Sequence, residues 1–135
     1  GLKEVNVIEV KNYLNVPSDM FVVTEATYNS QKGLLRRFLS AYKDCTQWMI
    51  DNPKEAAKIA KTRSINGRNE SVNLEIIKIR NASAVSKTTT KRGLGHFDID
   101  LLQKGAETFR ELGLIKNSID ITKVVKSIRK KEKLK

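Results

Sequence analysis

The sequence predicts an α+β fold dominated by helix. Three observations carry this. The first 24 residues hold two short β-branched runs, Val5–Val10 and Met20–Val23, around a cluster of turn formers. From residue 25 onward, apolar residues recur at the 3.6-residue spacing of amphipathic helices. Asn52-Pro53, Asp98 and Asp120 stand where helix starts are expected. A chain of 135 residues with 39% apolar content is long enough for one domain and one packed core.

The elements follow in order. Val5, Val7, Ile8 and Val10 predict a strand over about 4–10, and Met20-Phe21-Val22-Val23 a second over about 20–24. Asn12, Asn15, Pro17, Ser18 and Asp19 form the loop between them. Asn29 and Ser30 are good N-caps for a helix over about 31–51. Leu34, Phe38, Tyr42, Cys45 and Met49 should form its buried face, widened by Leu35, Leu39 and Ile50. Asn52 caps the next helix, with Pro53 at the first helical position, where its missing N–H costs nothing; Ala56, Ala57, Ile59 and Ala60 follow. Asn69–Ala84 reads as helix on its length, although Val72, Leu74 and Ile76 also alternate. Ser86–Gly95 reads as a loop. Asp98 caps a helix carrying Leu102, Ala106, Phe109 and Leu112, with Gly113 as its stop. Asp120 caps a last helix containing Ile121, Val124 and Val125. The expected organisation is 1–24 as strands, 25–128 as the helical part and 129–135 as a basic tail.

Lys and Arg number 26 against 15 Asp and Glu, a net charge of +11. Such a surplus favours phosphate backbones, so a small basic helical nucleic-acid-binding domain is the alternative reading. The distribution weakens it. Lys126, Arg129, Lys130, Lys131, Lys133 and Lys135 crowd the end of the chain, and no aromatic is interleaved with the basic residues as a stacking platform requires. No apolar stretch approaches the roughly 18 residues of a membrane span. One Cys excludes an internal disulfide framework, and one His excludes a His-pair metal site.

The search for chemistry returns few candidates. Cys45 lies in an apolar helical stripe and reads as a buried structural thiol. His96 has no second ligand at metal spacing, so no metal or other cofactor is expected. Gly93-Leu94-Gly95 follows Lys91-Arg92 but lacks the third glycine of a dinucleotide loop and the Gly-Lys-Ser/Thr ending of a P-loop. No Ser/His/Asp set can be argued from spacing, and no enzyme is expected. Tyr13, Ser18 and Asp19 lie in an irregular loop between β elements, a common ligand-contact position. They are the candidate ligand-binding residues.

From residue 17 onward an ordered series of motifs resembles the substrate-binding proteins of ABC importers. Gly33-Leu34-Leu35-Arg36-Arg37-Phe38-Leu39-Ser40-Ala41-Tyr42 is similar to that family's long helix, and Asp51-Asn52-Pro53-Lys54-Glu55-Ala56-Ala57 to the turn that follows. Arg92-Gly93-Leu94-Gly95-His96-Phe97-Asp98 resembles its glycine-leucine-glycine-aromatic-x-aspartate segment, with His96 where relatives commonly carry Trp. Phe109-Arg110-Glu111-Leu112-Gly113-Leu114-Ile115 resembles a later helix end, and Ile119-Asp120-Ile121 the cap beyond it. Ser30 stands where a Pro usually follows the asparagine, and the basic tail departs from the pattern. The group includes binding proteins for thiamine-precursor pyrimidines, nitrate and aliphatic sulfonates.

The resemblance implies the C-terminal portion of a two-lobed, periplasmic-binding-protein-like α/β fold, with a partial lobe present here. Residue 1 is Gly rather than Met, which fits the expectation of a piece of something longer. The implied function is reversible capture of a small solute outside the cytoplasm and delivery to a membrane permease, without catalysis. Tyr13, Ser18 and Asp19 would lie near the cleft. The apolar faces that the other lobe covers imply a homodimer of the isolated chain. A metabolic enzyme acting on thiamine-type pyrimidines shares the resemblance but would need a His- and Cys-rich stretch.

Overall fold

The computed structural model describes residues 5–9, 12–13, 15–16, 19–65, 67 and 69–128. Among them the elements are α1 (Glu25–Ser30), α2 (Lys32–Asp51), α3 (Pro53–Arg63), α4 (Glu70–Ala84), α5 (Lys87–Arg92), α6 (Ile99–Glu111) and α7 (Ile121–Val124). The helix-dominated expectation is met. No strand is present among the described residues, which corrects the two predicted at about 4–10 and 20–24. A β-branched run favours extended backbone, but a strand exists only when a ladder satisfies its N–H and C=O groups. Val7, Ile8 and Val22 instead stand exposed. Residues 4 and 10 of the first run, Pro17 and Ser18 of the loop, and the 129–135 tail lie outside the described residues.

The chain divides into two compact units. One holds Glu25–His96 and therefore α1 to α5. Its core is the hairpin of α3 and α4, where Ala56, Ala57 and Ile77 are buried and Met49 and Leu74 pack against them. Ala57 is fully buried. Two alanines one after the other let the helices approach closely, because neither carries more than a methyl group to hold them apart. Asn69 caps α4, its side-chain oxygen accepting from the Val72 N–H at 2.9 Å. Asn81 Nδ2 donates to the Met49 carbonyl at 3.1 Å and ties α4 to the end of α2. The hairpin loop brings Gly67 so close to α3 that a Cβ there would lie 2.5 Å from the Lys61 carbonyl oxygen.

Three expectations in this unit are corrected. Asn29 and Ser30 do not cap α2. They end α1, where the Ser30 hydroxyl donates to the Ala26 carbonyl at 2.7 Å, and Gln31 is the N-cap of α2 without a side-chain bond. Ser86–Gly95 is not all loop: Ser86 and Thr89 form a reciprocal capping box that nucleates α5, so Lys87, Lys91 and Arg92 sit on a short helix. The predicted buried face of α2 divides: Leu35, Leu39, Met49 and Ile50 are half-buried, whereas Leu34, Phe38, Tyr42 and Cys45 are exposed. Leu34, Phe38 and Tyr42 are each about half accessible, Cys45 is exposed, and no residue of α2 is fully buried. The helix is rotated so that Leu35, Leu39, Thr46, Met49 and Ile50 are the half-buried positions.

The second unit holds Phe97–Ser127 and the described residues up to Thr24. Asp98 caps α6 by accepting from the Leu101 N–H at 3.1 Å. Leu102 and Gly105 are buried. Val16 packs so tightly on Gly105 that a Cβ there would fall 2.7 Å from its Cγ1. Gly113 ends the helix at φ 72°, as its sequence position predicts, and the Leu114 N–H returns to the Phe109 carbonyl at 2.9 Å. Asp120 caps α7 as expected. The Gln103 amide holds that cap from both sides, donating to the Ile119 carbonyl and accepting from the Ile121 N–H, each at 3.1 Å.

Candidate functional site

The concave surface of the first unit lies between the second half of α2 and the α5 turn. α2 is helical there because its side chains from Lys43 to Ile50 carry no breaker, and Asn52-Pro53 stops it. α5 exists because Ser86 accepts from the Thr89 N–H at 3.2 Å while the Ser86 N–H donates to the Thr89 hydroxyl at 2.7 Å. It ends at Gly93, whose φ of 88° suits a residue without a Cβ. His96 Nδ1 lies 3.1 Å from the Gly93 carbonyl and folds the turn back.

Two hollows result. One, of about 340 Å3, is lined by Gln47, Ile50, Val85, Thr89, Thr90, Gly93 and Leu94. The other, of about 260 Å3, shares Gln47, Gly93 and Leu94 and adds Lys43, Asp44 and Arg92. Much of the polar equipment is engaged locally. The Thr89 hydroxyl is spent on the capping box, Gln47 Nε2 donates to Asp51 Oδ1 at 3.0 Å, and Lys43 stands 3.5 Å from Asp44. Lys43 and Arg92 against the single lining carboxylate of Asp44, with the Thr90 hydroxyl, make an open depression with a small cationic surplus. It can attract a small anion or a polar solute weakly, since an open surface leaves the ligand's polar groups in water.

No group of three or more His, Cys, Asp or Glu that could hold a metal ion occurs among the described residues. Outside the hollows, Asp120 and Lys58 have displaced pKa values. The hydrogen bond from Thr122 holds the Asp120 carboxylate below its ordinary range, and the hydrogen bond to Glu55 raises Lys58. Both serve local helix structure. No described helix is long and apolar enough to cross a membrane.

The residues chosen from sequence stand apart from the hollows. Tyr13 follows a turn closed by Asn12 N–H to the Glu9 carbonyl at 3.0 Å, and its side chain is 80% accessible. Asp19 is exposed, and Ser18 lies outside the described residues. Neither Tyr13 nor Asp19 lines either hollow. Sequence reading missed Lys43, Gln47 and Thr90. The available signal was the Ser86-x-x-Thr89 spacing, which marks a helix start where a loop was expected.

The fold and this surface together define a helical protein with an open cationic depression. Comparison with known proteins adds one positive finding: residues 2–56 match the family model described as NMT1/THI5 like. The match takes in α1, α2 and the first residues of α3, and covers less than half of the chain. It includes the Gly33–Tyr42 and Asp51–Ala56 motifs, while the Gly93–Asp98 and Phe109–Ile115 motifs lie beyond it. No curated protein and no solved structure matches the chain.

Proposed function

We propose that the chain is the C-terminal portion of a substrate-binding protein of an ABC importer. It would capture a small solute reversibly, outside the cytoplasm, for delivery to a membrane permease, with no catalytic step. The observation that carries this reading is the NMT1/THI5-like match over residues 2–56. The ordered motifs that continue to Ile121 support it. Solutes that fit the resemblance are thiamine-precursor pyrimidines, nitrate and aliphatic sulfonates, with Tyr13, Ser18 and Asp19 as contacts. A second lobe would complete the cleft. Without it the chain exposes apolar faces, and we expect it to self-associate.

Calorimetric titration of the chain with these three solute classes tests the reading. The expected result is weak, saturable binding of one class, reduced by Tyr13→Ala or Asp19→Asn. Losing about 4 kcal/mol of contacts on one side of a cleft weakens binding roughly a thousandfold. Absence of binding to every class, together with a salt-sensitive shift of arbitrary DNA, overturns the transport reading in favour of phosphate recognition. Tight stoichiometric binding by a monomer overturns the half-cleft.

A further inference from the structure

The exposed side of α2 has an order of its own. Leu34, Phe38, Ala41, Cys45 and Trp48 are all exposed, and they are spaced four, three, four and three residues apart. That alternation has the spacing of a two-helix coiled-coil seam, sustained over two heptads and narrower than the broad stripe of a helix facing a globular core. The broader stripe is also present and already used, because Leu35, Leu39, Thr46, Met49 and Ile50 are the half-buried positions of the helix. One helix thus carries two apolar edges, one turned inward and one turned to solvent.

We propose that the seam is the interface for a second copy of this chain, docked antiparallel along α2. Three features select this occupant and this direction. The first is size. A two-fold axis between Leu39 and Ser40 sets Phe38 opposite Ala41 of the partner subunit and Leu34 opposite Cys45 of the partner subunit. These layers each pair a large side chain with a small one, which fills the space between helices evenly, and Trp48 at the end of the seam comes level with Gln31 of the partner subunit. A parallel pair would set Phe38 on Phe38 of the partner subunit and Ala41 on Ala41 of the partner subunit, crowding one layer and leaving the next hollow.

The second feature is charge. Arg37 and Asp44 flank the seam on the same side, each one residue before a seam position. In the antiparallel register Arg37 comes level, to within about 3 Å along the axis, with Asp44 of the partner subunit, and symmetry repeats the pair. A parallel pair sets Arg37 beside Tyr42 of the partner subunit and leaves its charge uncompensated. The third is the helix dipole. α2 has no acidic residue in its first turn and no basic residue in its last, where Asp51 stands instead. Its charges oppose its own macrodipole, and an antiparallel neighbour supplies the opposite sign at each end.

The seam, from Leu34 to Trp48, spans about 20 Å of helix. That is small beside the area of standard stable interfaces, so the association is concentration-dependent. The seam gives the self-association expected above a specific interface and direction, and its test reads association and not solute binding.

Sedimentation of charge-exchanged variants tests the interface. The unaltered chain should self-associate across a dilution series. Arg37→Asp alone and Asp44→Arg alone should each weaken that association by about tenfold or more, since each places like charges together twice. Mixing the two variants should restore it, because every pair across the mixed dimer is again of opposite sign. Helicity should be unchanged in both, since both positions are exposed. Cys45 gives an independent reading. In the antiparallel dimer the two Cys45 lie about 16 Å apart along the axis, too far for a disulfide, whereas in a parallel dimer they would be adjacent. Monomer at every concentration overturns the proposal. So does failure of the mixture to associate, or ready oxidation of Cys45 to a disulfide-linked dimer.

Discussion

Replacing glycine by alanine at positions 33 and 67 should change stability in opposite directions. Neither residue has the positive φ that penalises a side chain, so backbone conformation favours alanine at both. Restricting the unfolded chain at a compatible site stabilises by about 0.4–1 kcal/mol. At Gly33, in the first turn of α2, the added Cβ meets only Arg37 Nη1 at 3.6 Å, an ordinary contact with the end of a flexible side chain. Gly33→Ala should therefore gain the lower part of that range, about 0.5 kcal/mol. At Gly67 the Cβ would fall 2.5 Å from the Lys61 carbonyl oxygen, with the Ala60 carbonyl oxygen at 3.1 Å and the Lys61 carbonyl carbon at 3.2 Å. All three are backbone atoms at the end of α3, and they can yield only if the α3–α4 hairpin opens. Overpacking of this kind costs about 1–3 kcal/mol. Less the entropic gain, Gly67→Ala should lose about 1–2 kcal/mol. Urea denaturation followed by far-UV circular dichroism measures both variants as shifts in midpoint at constant slope. A Gly67→Ala chain as stable as the parent would refute the close approach of that loop to α3. A destabilised Gly33→Ala would refute the open surroundings at the start of α2.

Two further outcomes follow from single side chains. Gln103→Leu removes both hydrogen bonds that hold the α7 cap to α6 and should cost about 1–3 kcal/mol, with amide exchange accelerated at Ile121; unchanged protection there would mean that the amide clamp contributes nothing. Asp120 should titrate below the ordinary carboxylate value, because the Thr122 hydroxyl donates to it at 2.6 Å. A depressed carboxylate contributes stability above its unfolded pKa and loses it as pH falls through the lower folded value. Thr122→Val should move the Asp120 carboxyl resonance titration up toward the ordinary range, and an unmoved midpoint would show that another group sets it.

Local chemistry made most of the helices legible. Asn69, Asp98 and Asp120 mark helix starts because a short side chain accepts from a first-turn N–H, and Pro53 because it has no N–H to leave unpaired; the expected side-chain cap from Asn52 is absent, its amide donating instead to the Trp48 carbonyl at 3.0 Å. Gly113 marks an end for the same local reason. Where a partner distant in sequence decides the outcome, the sequence was silent. The β-branched runs at Val5–Val10 and Met20–Val23 favour extended backbone, but whether extended backbone becomes strand depends on a pairing edge that no local residue supplies. α5 was missed because its Ser86–Thr89 capping box has Thr in place of the usual Glu or Gln. Only one wall of the depression between α2 and α5, at Arg92-Gly93-Leu94, stood out in the sequence, since Gln47 and Thr90 become neighbours only through the α3–α4 hairpin that separates them in sequence.

α2 shows the division most clearly. Its sequence determined that residues 32–51 are helical and that a wide arc of that helix is apolar, because both follow from spacing along one chain. Which edge of the arc turns inward was settled by tertiary packing. Ala56 and Ala57 bury against Ile77, and Asn81 ties α4 to the Met49 carbonyl. α2 then lies with its Leu35, Leu39, Thr46 and Ile50 edge half-buried and its Leu34, Phe38, Ala41, Cys45 and Trp48 edge in solvent. A helix can bury only the edge that meets a neighbour, and where the neighbour lies is decided by the fold.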